Sequence, residues 1–212
     1  MTADIPSWVR EVQPQVVRVP LTAYATGGEL FATEKQMETF FTESWKRWRD
    51  VLEEYGTPPH VFLMDFEGVR TLDPNNASSG LIFVLANYIG REKPVHVAFD
   101  NLGFEGENNP WQSLNQTLEY HIRKGGVAVA RREGEERYQL IGSRRFTKGR
   151  WQDIFTRLAF EKDWVEGNTF TKKDLGLRLT PKTQQEYLHL MAKKGIVLQK
   201  NSGRFSYFRS LV

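Results

Sequence analysis

The sequence predicts an α/β protein with a mainly parallel sheet over its first two thirds, joined to a small module of three helices and a hairpin. Three observations lead there. Up to about Gly142, short apolar runs bounded by turn residues alternate with stretches of helical periodicity. Beyond it, three amphipathic stretches precede two short strands. Charge divides at the same place: residues 143–212 hold 15 Lys and Arg against 6 Asp and Glu, and residues 1–142 hold 14 against 20, giving net charges of +9 and −6. A basic third of this kind attracts polyanions.

In the first two thirds, Gln15 to Ala23 (QVVRVPLTA) predicts a strand, and Gly27-Gly28 a turn. Thr33 caps a long helix to about Tyr55, with Met37, Phe40, Phe41, Trp45, Trp48 and Leu52 on one face. Gly56 and Pro58-Pro59 stop it. Val61 to Phe66 (VFLMDF) and Pro94 to Phe99 (PVHVAF) are short apolar runs, the signature of strands buried on both faces. A helix is expected between them, over residues 79–89. Another starts at Asn109-Pro110, carries Leu114, Leu118 and Ile122 inward, and ends at Gly125-Gly126. Val127 to Ala130 and Tyr138 to Ile141 flank a charged turn and predict a hairpin.

The polar, basic segment SRRFTKGR (Ser143 to Arg150) marks the boundary. The expected organisation is a tail over 1–14, an α/β domain over 15–145 and a C-terminal domain over 146–212. In that last domain Trp151, Ile154, Phe155, Leu158 and Ala159 form the apolar face of a first helix. Thr171-Lys172-Lys173-Asp174 matches a capping box loosely and predicts the start of a second helix, ending near Leu179. Thr180-Pro181 opens a third, with Tyr187, Leu188, Leu190 and Met191 as its apolar side. Gly195 ends it. Strands follow at Ile196 to Gln199 and Phe205 to Phe208, around Lys200-Asn201-Ser202-Gly203.

Three helices and a hairpin are the order of a winged helix-turn-helix. The segment YLHLMAKKGIVLQKNSGRFSYF resembles the recognition helix and wing of winged-helix regulators. The resemblance implies double-stranded DNA as partner. Such a helix presents hydrogen-bonding groups near its N-terminus, where Lys182, Thr183, Gln184 and Gln185 stand. Glutamine addresses an adenine edge, and lysine a guanine edge or a phosphate. Lys200, Asn201 and Arg204 would reach the backbone or minor groove from the wing. His189 is expected at the surface or in packing rather than on a metal.

A second resemblance rests on Gly28 to Thr33 (GELFAT), His60 to Asp73 (HVFLMDFEGVRTLD) and Ser78-Ser79-Gly80-Leu81. It is similar to STAS and STAS-like domains, found in anti-sigma factor antagonists and sulfate transporters. The resemblance implies a layered domain that senses or docks a protein partner, and a phosphorylation switch at Ser78. One departure stands out. Pro74-Asn75-Asn76-Ala77 lies between Asp73 and Ser78, so Ala77 occupies the family's aspartate position. Ser78 can also serve simply as a helix cap.

Chemistry is sparse otherwise. Cysteine is absent, which excludes disulfides, thiolate metal sites and a cysteine nucleophile. Phosphate-loop, zinc-protease and nucleophile-elbow motifs are missing too. Asp65-Phe66-Glu67 looks like the start of a metal-dependent exonuclease motif, and Asp65, Asp73 and Asp100 are expected at carboxyl ends of strands, where α/β sheets bind ligands. No convincing closing His and Asp pair follows. No signal-peptide core opens the chain, and no run reaches the ~18 apolar residues of a membrane span. The sequence thus predicts a soluble, cytoplasmic, non-enzymatic DNA-binding regulator without cofactor, metal or membrane partner, monomeric or homodimeric. A protein–protein adaptor or partner-switching antagonist is the alternative, and a metal-dependent nuclease the next.

Overall fold

The computed structural model describes residues 5–11, 13–40, 42–43, 60–73, 96–102, 118–120, 122–123, 128–133, 137–142, 147, 149–172 and 179–211. The expected helices over 79–89 and after Pro110, the far end of the helix from Thr33, and Ser78 lie outside the described residues, apart from helical residues around Leu118 and Ile122.

The chain is mixed α/β with a mostly parallel central sheet. Strands β1 (Gln15–Pro20), β4 (His60–Asp65), β6 (His96–Asp100), β7 (Ala128–Glu133) and β8 (Arg137–Gly142) line up in the order β1-β4-β6-β7-β8. The first four are parallel, and β8 runs antiparallel to β7. β1 is shorter than its apolar pattern suggested. Pro20 cannot donate to a ladder, and residues 21–24 leave as a 3₁₀ turn. The β7–β8 hairpin is longer than expected, its pairing reaching Glu133 opposite Arg137.

A smaller sheet gathers residues of the segments 28–33 and 60–73. β2 (Ala25–Thr26) and β3 (Glu29–Leu30) form a hairpin through Gly27-Gly28, and β5 (Thr71–Leu72) lies parallel to β3. The start of the following helix is capped as predicted: Thr33 Oγ1 accepts from the Gln36 amide at 3.3 Å.

Side-chain alternation splits the central sheet into two cores. Phe62, Met64, Val97, Phe99 and Val129 face one, together with Phe40, Leu118 and Ile122. Val61, Leu63, Ala98, Ala128, Ala130 and Leu140 face the other. Among the described residues, that second face is closed by the C-terminal module, through Trp151, Ile154, Phe155, Leu158, Trp164, Phe170 and Leu188. One apolar cluster therefore crosses the expected boundary at residue 145. The reason is general: a parallel sheet must be covered on both faces.

The C-terminal module runs α2 (Arg150–Phe160), β9 (Val165–Glu166), α3 (Gly167–Lys172), α4 (Pro181–Lys193), β10 (Val197–Ser202) and β11 (Phe205–Ser210), where α1 is the short N-terminal helix Ser7–Arg10. β10 and β11 form an antiparallel hairpin, and β9 pairs with the outer side of β11. All five apolar residues expected on α2 are buried. α2 also shields the sheet edge: Gln152 Oε1 accepts from the Leu140 amide at 2.7 Å, and its Nε2 donates to the Tyr138 carbonyl at 3.3 Å.

Two expectations need correction. The described part of the expected tail over 1–14 is packed on the fold, because α1 buries Val9 in the second core and Ile5 packs beside it. Thr171 does not open the second helix of the module but lies near the end of α3. The cap is Glu166, which accepts from the amides of Asn168 at 3.0 Å and Thr169 at 2.8 Å. Burial alone would raise the Glu166 pKa, but those bonds and the Thr169 hydroxyl outweigh it and hold the carboxyl below its usual range. A side chain at Gly167 would meet the Phe208 ring at 2.8 Å, so α3 packs closely on β11.

The start of α4 agrees with the sequence. Thr180 Oγ1 accepts from the Thr183 amide at 3.2 Å, and Pro181 takes the first helical position. Thr180→Ala is expected to cost about 1 kcal/mol, visible as a lower urea midpoint at unchanged slope.

Candidate nucleic-acid interface and the carboxyl edge of the sheet

The α4 residues expected to touch DNA divide into three groups. Lys182, Gln185 and Glu186 share one outward face of α4 by their three- and four-residue spacing. Lys182 is exposed and Gln185 half-buried. Thr183 is spent on the cap, its hydroxyl 2.9 Å from that of Thr180. Gln184 overturns the expectation. It is 3% exposed, because it lies on the inward stripe with Leu188 and Met191. Its Nε2 donates to the Leu179 carbonyl at 3.2 Å, and its Oε1 is buried without a hydrogen-bond partner among the described residues. Glu186, which sequence reasoning passed over, stands exposed beside Lys182, so this face carries both signs of charge.

The hairpin also differs from expectation. β10 extends to Ser202, so Lys200 and Asn201 are strand residues paired with Tyr207 and Ser206. The turn is Gly203-Arg204, and Gly203 takes φ +55, which suits the first central place of a two-residue hairpin turn. Arg204 is exposed at the tip, 5.2 Å over the Phe205 ring. Asn201 Oδ1 accepts from Gln199 Nε2 at 2.8 Å and Ser206 Oγ at 2.9 Å. Lys200 is held by α1: its Nζ donates to the Trp8 carbonyl at 3.3 Å and sits 4.5 Å over the Trp8 ring. His189 is a packing residue, its ring edge-on to Phe208 at 5.1 Å.

At the carboxyl edge of the central sheet, Asp65 and Asp100 end β4 and β6 as predicted and are register partners. Asp73 follows β5 in the smaller sheet instead. Arg18 of β1 bridges the pair, donating Nη1 to Asp65 and Nη2 to Asp100 at 2.7 Å. Arg132 of β7 donates to Asp100 from the other side at 2.8 Å. Asn101 Nδ2 and the Glu67 amide fill the remaining oxygen of Asp65 at 2.7 and 3.0 Å. Burial would raise Asp65, but these donors, Asn101 foremost, hold it below the usual carboxylate range. Arg18 and Arg132 are raised, chiefly by their bonds to Asp65 and Asp100 respectively. Both carboxylates are thus paired with guanidinium groups, and no cluster of three metal-ligating side chains exists among the described residues.

Comparison of the chain with protein families, curated proteins and solved structures found no match. No helix among the described residues is long and apolar enough to cross a membrane.

One buried group ties the sheet to the module. His96 of β6 stands with Nδ1 3.3 Å from the carbonyl of Gly195, the residue that ends α4. Burial holds its pKa below the ordinary 6.5, so the folded ring is neutral and Nδ1–H donates. The unfolded chain takes up this proton first. Stability is therefore full above about pH 6.5 and falls as pH drops below it. His96→Gln is expected to flatten that decline in urea titrations between about pH 6.5 and 5. A parent chain with no decline there would refute the assignment.

Proposed function

We propose that this chain is a DNA-binding regulator that addresses duplex DNA with α4 and the tip of the β10–β11 hairpin, while its α/β half is a STAS-like sensing or docking unit. The observation that supports the reading is the order α2–β9–α3–α4–β10–β11 with β9 on the outer side of β11, an order similar to that of winged helices. The first turn of α4 supports it, since Lys182 and Gln185 face away from both cores. Lys182 and Arg204 would contact phosphates and Gln185 a base edge. Glu186 repels phosphate and can accept from a cytosine amine, which would make the face selective. Gln184 has no part in recognition, and Lys200 contributes only if Trp8 releases it.

Anisotropy titration of a labelled duplex at several salt concentrations tests this. Lys182→Ala with Arg204→Ala is expected to weaken binding of all sequences and to reduce the salt slope by about 2. Gln185→Ala should change sequence preference instead. Salt-insensitive binding, or a double variant that binds as the parent does, would remove DNA from the account.

A further inference from the structure

Between the central sheet and β11 lies a cleft of about 520 Å³. Its walls come from both halves of the chain, β1, β7 and β8 on one side and β11 with the residues after α2 on the other. Four cations line it: Arg18, Arg132, Lys162 and Arg209. Two of them share Asp65 and Asp100. Lys162 and Arg209 are additional, and neither makes an ion pair among the described residues. Arg209 donates to the neutral Oε1 of Gln13, and Asp163 acts on it only at longer range. It is half-buried, so it has lost part of its hydration without gaining a bonded counterion among the described residues. Lys162 has φ +54 just past the end of α2, a position that ordinarily favours glycine or asparagine. Buried Leu63 and Tyr138 also line the cleft.

We propose that this cleft binds a small phosphorylated organic molecule of about mononucleotide size. Guanidinium forks match phosphate oxygens in paired fashion, and Arg209 with Lys162 supplies positive charge that no ion pair among the described residues takes up. Leu63 and Tyr138 would receive the apolar body of the ligand. The volume suits one small ligand. No residue of α4 lines the cleft, so the proposal is independent of the DNA reading. A ligand here would touch both halves at once and so tighten their packing.

Calorimetric titration of the full chain, without DNA, with phenyl phosphate, adenosine monophosphate, inorganic phosphate and adenosine tests the site. Saturable binding of phenyl phosphate or adenosine monophosphate is expected, at least about tenfold tighter than that of inorganic phosphate or adenosine. Arg209→Gln should weaken it about tenfold or more. Lys162→Gln, an exposed position that leaves the core intact, should weaken it as well, with circular dichroism unchanged. Lys35→Gln, which removes one charge from the exposed face of the helix over residues 34–40, should not. No saturable binding, equal binding of all four probes, or binding unaffected by Lys162→Gln and Arg209→Gln would each overturn the proposal. Displacement of the probe by a short DNA duplex would assign the phosphate to DNA and overturn a small-molecule ligand.

Discussion

Phe155→Ala is expected to destabilise the chain by about 3–5 kcal/mol and to do so in both halves together. Phe155 is 0% exposed and lies in the cluster that also holds Val61, Leu63 and Ala98 of the central sheet. α2 packs against β8 on one side and β11 on the other. Truncating its ring leaves a cavity where the two halves meet, and neither can close it alone. Urea unfolding should therefore show one transition, displaced equally for far-ultraviolet dichroism and tryptophan fluorescence. Two independent domains would give a different result: the transition of the C-terminal module would drop while that of the α/β half stayed in place. The same geometry predicts the behaviour of an isolated fragment from about residue 146. It would expose Trp151, Ile154 and their neighbours to water, and should bind hydrophobic dyes or aggregate. A monomeric, cooperatively folded fragment would show that the shared cluster is dispensable.

Much of this fold was legible in the sequence because it is local. VFLMDF and HVAF could be read as buried strands from their lack of alternation, and both are buried throughout. The face of α2 and the Thr180-Pro181 start of α4 follow from spacing and capping chemistry, which act within a turn or two. The misses are of another kind. Gln184 was placed outward because its neighbours are polar, but its inward orientation is set by the phase of Leu188 and Met191 further along. Glu166 caps α3 from within a strand, a role that the loose match at Thr171 hid. Trp8 holds Lys200 across nearly the whole chain, and no local pattern shows that. Arg18 and Arg132 meet at Asp100 although more than half the sequence separates them. A charged residue in a strand looks solvated until the neighbouring strands are known. The absence of alternation in β4 and β6 was the available signal that Asp65 and Asp100 would need buried partners.

Asp100→Ala is expected to cost about 3 kcal/mol, through the charges that Asp100 balances. Its side chain is 4% exposed and accepts from both Arg18 and Arg132. Removing it leaves two guanidinium groups facing each other, with Asp65 still paired to Arg18 alone. The loss is smaller than for a fully enclosed pair, because the Arg18 side chain is 46% exposed and water screens part of the repulsion. Asp100→Asn keeps the shape and one acceptor and should cost less. The decisive comparison adds a second change: Arg132→Met, with its apolar stem, removes one of the stranded cations. If the network is held by charge balance, Asp100→Ala with Arg132→Met should be more stable than Asp100→Ala alone, a coupling that reverses the usual additivity of destabilising changes. Strict additivity in a urea double-mutant cycle would mean instead that Asp100 acts through packing or backbone geometry, by way of its bond to the Asn101 amide at 3.1 Å. The same cycle bears on the cleft beside it. Losing Asp100 adds a net positive charge to that wall, so phenyl phosphate should bind Asp100→Asn at least as tightly as it binds the parent chain, while overall stability falls.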